Sequence, residues 1–253
     1  MIVCKSPAEI EKMRAASVLV AEVLAELAGM VKPGVSTLDL DAEAERLVRA
    51  GGAEPAFKGY RGYPSTLCAS VNEQVIHGIP SKRALADGDI ISLDMGVKMN
   101  GYFGDSAVTV PVGRVSEEAQ LLLRVTRESL EKGIEQARLG GRISDIGHAI
   151  QKHVEAQGFS VVREFVGHGI GASLHEEPQI ANYGDPGRGP RLAEGMTLAI
   201  EPMVNAGRPG VKMLADGWTA ITRDGSLSAH FEHTVAITKN GPLVLTKAAA
   251  SVR

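Results

Sequence analysis

The sequence predicts an α+β fold made of two similar halves, with antiparallel strands joined inside and helices outside. Three observations carry that reading. A helix–helix–strand order occurs twice along the chain. Matching segments of the two runs lie 107 positions apart. The strand patterns pair as hairpins rather than through helical crossovers, which excludes a parallel sheet of βαβ units.

The first helix is predicted to start at Ser6-Pro7-Ala8-Glu9, which has capping-box spacing and proline at the first helical position. It should run to about Met30, ahead of Lys32-Pro33-Gly34. A second helix follows from Thr37 to Ala50 and stops at Gly51-Gly52. Residues 53–75 mix strand and loop character. The pattern then restarts after Pro111-Val112-Gly113. Ser116 opens an amphipathic helix through about Ala137, Gly140-Gly141 breaks it, and a further helix spans Ser144 to Gln157. Strand-like VVREFV leads into GHGIG, and MTLAIEPM and HFEHTVAIT read as two more strands.

Residues 85–110, LADGDIISLDMGVKMNGYFGDSAVTV, read as a β-hairpin with one acid on each arm, Asp94 and Asp105. Asn100-Gly101 favours a tight primed turn. If that pair is the loop, Asp94 faces Ala107 and Asp105 lies diagonally across. A loop centred one residue earlier sets the two acids face to face. Either register puts both carboxylates on one face, with Cβ atoms roughly 4.5–8 Å apart; a three-residue loop would break the relation. Such neighbours repel and lose hydration, so they face solvent, pair with bases, or hold a cation. The hairpin alone does not choose.

The internal echo extends the argument. Gly34, Thr37 and Gly51 precede Gly141, Ser144 and Gly158 by the same 107 positions, and LADGDIISLD (85–94) falls on LAEGMTLAIE (192–201). Asp94 thereby superposes on Glu201. With insertions, His77-Gly78-Ile79 matches His168-Gly169-Ile170, and DSAVTV (105–110) matches EHTVAI (232–237), setting Asp105 on Glu232. Halves of roughly 6–112 and 113–245 in a single domain, 1–253, would pack about a pseudo-two-fold axis and bring the four acids together. Four buried carboxylates do not all ionise unaided, whereas two divalent cations balance them. Oxygen-rich ligation with one imidazole suits Mn²⁺, Fe²⁺, Co²⁺ or Zn²⁺, and paired ions of this kind favour hydrolysis.

Composition narrows the function classes. The 253 residues are 44% hydrophobic and 23% charged with a net charge of −3, which gives no electrostatic case for nucleic acid or an anionic membrane. At 4% aromatic content, platforms for stacked bases are not expected. Cys4 and Cys68 make neither a disulfide framework nor a thiolate zinc site, so a reducing cytoplasm is expected. MIVCKSPAEIEKM lacks the apolar core of a secretory leader, and the apolar run 15–31 contains Glu22 and Glu26, unlike a membrane span.

Among the histidines, His148 and His153 lie five apart on a helix and are expected at the surface. His233 should point away from Glu232 and give support rather than ligation. His77, His168 and His175 sit beside glycines or in loops that could reach a metal, and symmetry leaves open which of them does. GHGIG lacks the full G-x-G-x-x-G dinucleotide pattern and a following helix. Cys68 reads as a small apolar filler rather than a nucleophile.

SVNEQVIHGIP, LDMGVKMNGYFGDSA, GHGIGASLHEEPQI, GMTLAIEPMVNAG and DGWTAITRDGSLSAHFEHT, in that order, resemble a type I methionine aminopeptidase of the short form. The resemblance runs from Ser6 to about Lys239 and implies the pita-bread fold. It implies metal ligation by Asp94, Asp105, His168, Glu201 and Glu232, with Asp105 and Glu232 shared between two ions (Co, Mn, Fe(II) or Zn). It assigns His77 and His175 to the catalytic and substrate-binding side and Glu201 to proton transfer as well as ligation. The methionine pocket it implies comprises Tyr60, Tyr63, Cys68, Leu174 and Trp218. Leu174 stands where many relatives carry phenylalanine, and Arg61 where some carry histidine. The implied partner is the N-terminal methionine of nascent peptides whose second residue is small, met by a monomer at the ribosome, with no nucleic acid or membrane of its own. Proline-specific relatives normally carry an additional N-terminal domain, and non-catalytic relatives lose ligands that this chain keeps.

Overall fold

The structure is a computed structural model that describes residues 1–247. Four helices and fifteen strands follow one another as α1 (Pro7–Met30), α2 (Thr37–Ala50), β1 (Glu54–Pro55), β2 (Cys68–Val71), β3 (Gln74–Ile76), β4 (Ile90–Met99), β5 (Tyr102–Pro111), α3 (Glu117–Gln136), α4 (Ile143–Glu155), β6 (Ser160–Val161), β7 (Gly167–Gly169), β8 (Glu176–Ile180), β9 (Thr197–Ile200), β10 (Met203–Asn205), β11 (Val211–Met213), β12 (Ala220–Thr222), β13 (Ser228–His230), β14 (Glu232–Thr238) and β15 (Gly241–Val244).

The helices begin where side chains satisfy free N–H groups. Ser6 and Glu9 cap α1 reciprocally, as do Ser36 and Asp39 at α2. Ser116 caps α3. The fourth helix departs from expectation: it starts at Ile143 behind Arg142, and Ser144 Oγ instead accepts the Arg188 N–H at 2.7 Å.

Nine strands form one antiparallel sheet in the order β1-β4-β5-β14-β9-β7-β8, with β2 also on β4 and β15 also on β14. Neighbours β5 and β14 sit at its centre, flanked by β4 and β9. Smaller sheets, β13-β10-β6 and β11-β12-β3, complete the strand set. The hairpin turns at Asn100 and Gly101, both at positive φ (53° and 81°), and pairs Met99 with Tyr102 and Asp94 with Ala107. That is the first of the two registers the sequence allows.

Two expected strands are broken. MTLAIEPM divides after Ile200, because Pro202 has no N–H to continue the ladder. HFEHTVAIT divides at Phe231. VVREFV is mostly not strand: β6 ends at Val161, and Arg163 and Glu164 turn to solvent before β7.

Helices α1 and α2 pack on the first hairpin around Leu27, Leu40, Ile91, Leu93, Met95 and Val97. Helices α3 and α4 cover β9 and β14 around Leu122, Ile146, Leu198, Val235 and Ile237. In β4 the odd-numbered residues face helix, so Ser92, Asp94 and Gly96 face the other side.

Candidate active site

Register alone gathers the acids. Paired residues of neighbouring strands project to one face, and so do residues two apart on one strand. Asp94 pairs with Ala107, and Ala107 pairs with Glu232. Asp105 lies two residues from Ala107 and opposite Gly96. His168 pairs with Ala199, and Ala199 with Thr234, two residues from Glu232. Glu201 follows two residues after Ala199. Five residues from both halves thus meet on the face turned away from α1, with Gly96, Ala107 and Ala199 leaving room between them.

All four carboxylates and His168 are buried, Glu232 being 2% exposed and His168 8%. His168 Nε2 lies 3.5 Å from Glu201 Oε1 and 4.0 Å from Asp105 Oδ2. Its Nδ1 bonds the Gly169 carbonyl at 2.8 Å, which leaves Nε2 bare toward the acids. Burial pushes the Asp94 carboxyl up to about 7. Asp105, Glu201 and Glu232 are raised well above the carboxylate range, first by burial and then by one another's charge. Burial, then His175, lowers His168 to about 3, so its imidazole is neutral. No lysine or arginine among the described residues pairs with the four acids.

Asp94 Oδ1, Asp105 Oδ1 and Glu232 Oε1 are buried without a hydrogen-bond partner among the described residues. Asp105, His168 and Glu232 each present a ligand atom, all within 4.8 Å of one another. Unpartnered carboxylate oxygens facing a neutral imidazole are the donor set of a divalent transition metal. The residues fit such a cofactor.

The acids form the floor of a cavity of about 140 Å³. Tyr60, Arg61, Tyr63, Cys68, His77, Leu174, His175 and Trp218 line it, so every expected site residue reaches it. Their supports come from neighbouring elements. Asp41 of α2 accepts the Thr66 and Leu67 N–H groups at 2.9 Å, just ahead of Cys68. Tyr63 donates its hydroxyl to the Leu67 or Gly78 carbonyl and sets its ring edge-on to Trp218, 5.1 Å away. Asp216 holds the Trp218 N–H at 2.8 Å. His77, at φ 60°, packs edge-on to Phe165 and Trp218. His175 stacks on Tyr60, its Nδ1 2.9 Å from the Tyr60 hydroxyl, and its ring centre is 4.2 Å from that of His168.

Two wall residues, Phe57 and Ile76, were not legible as site residues, because nothing in an apolar run tells wall from core. His230, which flanks Glu232 in the sequence, also approaches a second acid: it is 1% exposed, and its Nε2 lies 3.8 Å from Glu201 Oε2. Parity with Glu232, two residues on, is the signal that finds it. His148 and His153, expected at the surface, are half-buried instead. His148 bonds the Gly184 carbonyl and His153 meets Glu128, because α4 turns that side toward the 183–185 loop and α3.

A sequence model of metallopeptidase family M24 matches residues 11–239. The chain belongs to this family. Among M24 relatives, methionine aminopeptidase 1 of Bacillus subtilis is 57% identical over 247 residues, covering 98% of this chain and all of that protein. The crystal structure of methionine aminopeptidase from Thermotoga maritima superposes with a TM-score of 0.96 at 50% identity, covering 98% of this chain and 100% of that one. Prolidase from Pyrococcus furiosus shares the fold at a TM-score of 0.79 and 24% identity, this chain covering 66% of it. The pita-bread architecture expected from the sequence is the observed one, and a divalent-metal cofactor agrees with the family and the site.

Proposed function

We propose that this M24 protein is a metal-dependent aminopeptidase that removes N-terminal methionine when the second residue is small. The observation that carries the reading is a buried four-carboxylate, one-histidine face forming the floor of a largely apolar cavity. Asp94, Asp105, His168, Glu201 and Glu232 would hold two divalent ions, with Asp105 and Glu232 shared; Mn²⁺, Fe²⁺, Co²⁺ and Zn²⁺ all suit this donor set. When bound, such ions supply a water acidic enough to attack at neutral pH and an anchor for a free α-amine.

The protein's own residues do the rest. Tyr60, Tyr63, Cys68, Leu174 and Trp218, with His77 at the wall, offer a thioether apolar and aromatic surfaces. With the Tyr60 hydroxyl donating to His175 Nδ1, Nε2 carries the ring proton and donates it to the carbonyl oxygen as charge develops. Glu201 takes a proton from the attacking water and returns it to the departing amine. The need for a free α-amine restricts the reaction to chain ends.

The same proposal treats 1–253 as one catalytic domain of halves 6–112 and 113–245, acting as a monomer on chains leaving the ribosome. Cytoplasmic action agrees with two unpaired cysteines, Cys4 exposed and Cys68 buried. No helix among the described residues is long and apolar enough to cross a membrane. Incubation of Met-Ala-Ser with protein loaded in turn with each of the four metals tests it. Methionine should be released; no release with any metal refutes the activity.

A further inference from the structure

Lys5 is a buried charge that the chemistry above does not use. Only 3% of its side chain is exposed, although it lies in the segment ahead of α1. Its Nζ donates to Glu176 Oε2 at 2.5 Å and to the Val3 carbonyl at 3.0 Å. The segment is anchored apart from that pair. The Lys5 N–H bonds the Gly195 carbonyl at 2.7 Å, just ahead of β9, and the next residue, Ser6, caps α1.

Glu176 opens β8 and directly follows His175. Its second oxygen accepts the Ser173 N–H at 3.1 Å, so one carboxylate spans the 173–176 loop and ties it to Lys5. The lysine's path depends on a glycine: a Cβ at Gly171 would overlap both the Lys5 stem and Glu176 Oε1. Leu174 of the loop is buried against Met13, Ala56 and Ile170, and the backbone adds hydrogen bonds from the Gly171 N–H to the Ser173 carbonyl and from the Phe103 N–H to the Gly171 carbonyl. Ala172, Ser173 and His175 are exposed. The His175 ring has one hydrogen bond, to Tyr60 on a different loop.

We propose that Lys5 is a positioning residue for the reaction: through Glu176 it fixes the loop that sets His175 and Leu174 over the metal face. The role rests on the aminopeptidase reading. Asp94, Asp105 and Glu232 stand on β4, β5 and β14 and Glu201 just past β9, none of them bonded to Lys5 or Glu176. Glu176 meets β7, which carries His168, only through its backbone pairing with Gly169, so loss of the side-chain pair should spare metal binding. Removing the lysine leaves Glu176 with the Ser173 N–H alone and lets the loop drift. A displacement of about 1 Å at a group that stabilises a transition state is felt mainly in turnover.

The test compares Lys5→Met, Glu176→Gln and the double variant in the metal-loaded protein. For Lys5→Met, kcat on Met-Ala-Ser should fall about tenfold, KM should change less than twofold, and metal content should stay at the wild-type level. The double variant should be no slower than the slower single one, because one linkage is lost either way. Hydrogen exchange gives a readout independent of activity: the amides of 173–176 should exchange at least tenfold faster in both single variants, while β4 and β5 keep wild-type protection. Unchanged kcat with unchanged exchange overturns the proposal, as does a loss of activity that tracks loss of metal. Additive losses in the double variant also overturn it. If wild-type protein releases no methionine, the aminopeptidase reading falls, and exchange at 173–176 alone decides whether Lys5 holds the loop. Should Lys5→Met not fold, Glu176→Gln carries the same comparison.

Discussion

A carboxylate buried without a counter-charge is destabilising once ionised, and Asp94, Asp105, Glu201 and Glu232 share that condition. Their carboxyls titrate higher in the fold than in the unfolded chain. In metal-free protein the native state therefore holds more protons between about pH 4 and 7, and stability falls as pH rises through that window. Asp94→Asn removes one such group. Metal-free wild type should lose Tm relative to metal-free Asp94→Asn as pH rises from 4 to 7, since shared histidine titrations cancel in the difference. A flat difference would mean Asp94 ionises freely in the fold. At His175 the expected effect is on turnover. With its ring seated beside His168 and oriented by Tyr60, His175→Ala should lower kcat by about 10²-fold or more with metal content intact. Metal loss with normal residual turnover would instead make His175 structural.

Among the elements, helix α1 and strand β5 meet so closely that one hydrogen matters. A Cβ at Gly104 would lie 2.7 Å from the Ser17 backbone nitrogen and Cα. Backbone on both sides cannot yield as a flexible side chain does, so Gly104→Ala should destabilise the fold by about 1–3 kcal/mol, read as a lower urea midpoint at constant m-value. Elements were the most legible level of this molecule. Both limits of α1, those of α2 and the two-residue turn at Asn100-Gly101 follow from caps and turn chemistry local to the chain. The break at Phe231 was less so, because nothing in HFEHTVAIT marks where the strand leaves one sheet for another, whereas Pro202 in MTLAIEPM is a visible breaker. The four acids were readable through parity and repetition, while the choice of His168 over His77 and His175 came only with the family resemblance. Phe57 and Ile76 were not, since their roles come from neighbours distant in sequence.

For the whole molecule, the site lies where β5 and β14 join, so the ions would be held by residues of both halves. Binding only the native state, metal at 100 times its Kd adds about 2.7 kcal/mol. For a domain of this size that corresponds to roughly 5–10 °C in Tm. A thermal scan with Mn²⁺ should exceed one with EDTA by that margin, and Asp105→Ala should abolish the difference. Equal melting in both would argue against a native-state metal site.

The floor and the walls of the cavity have different origins. Its acids stand on strands or at their ends, hydrogen-bonded into a sheet, while Tyr60, Tyr63, Leu174 and Trp218 come from turns and loops. On the proposed reading, substitutions in the walls should therefore alter which chain end is accepted while leaving the sheet-borne acids in place.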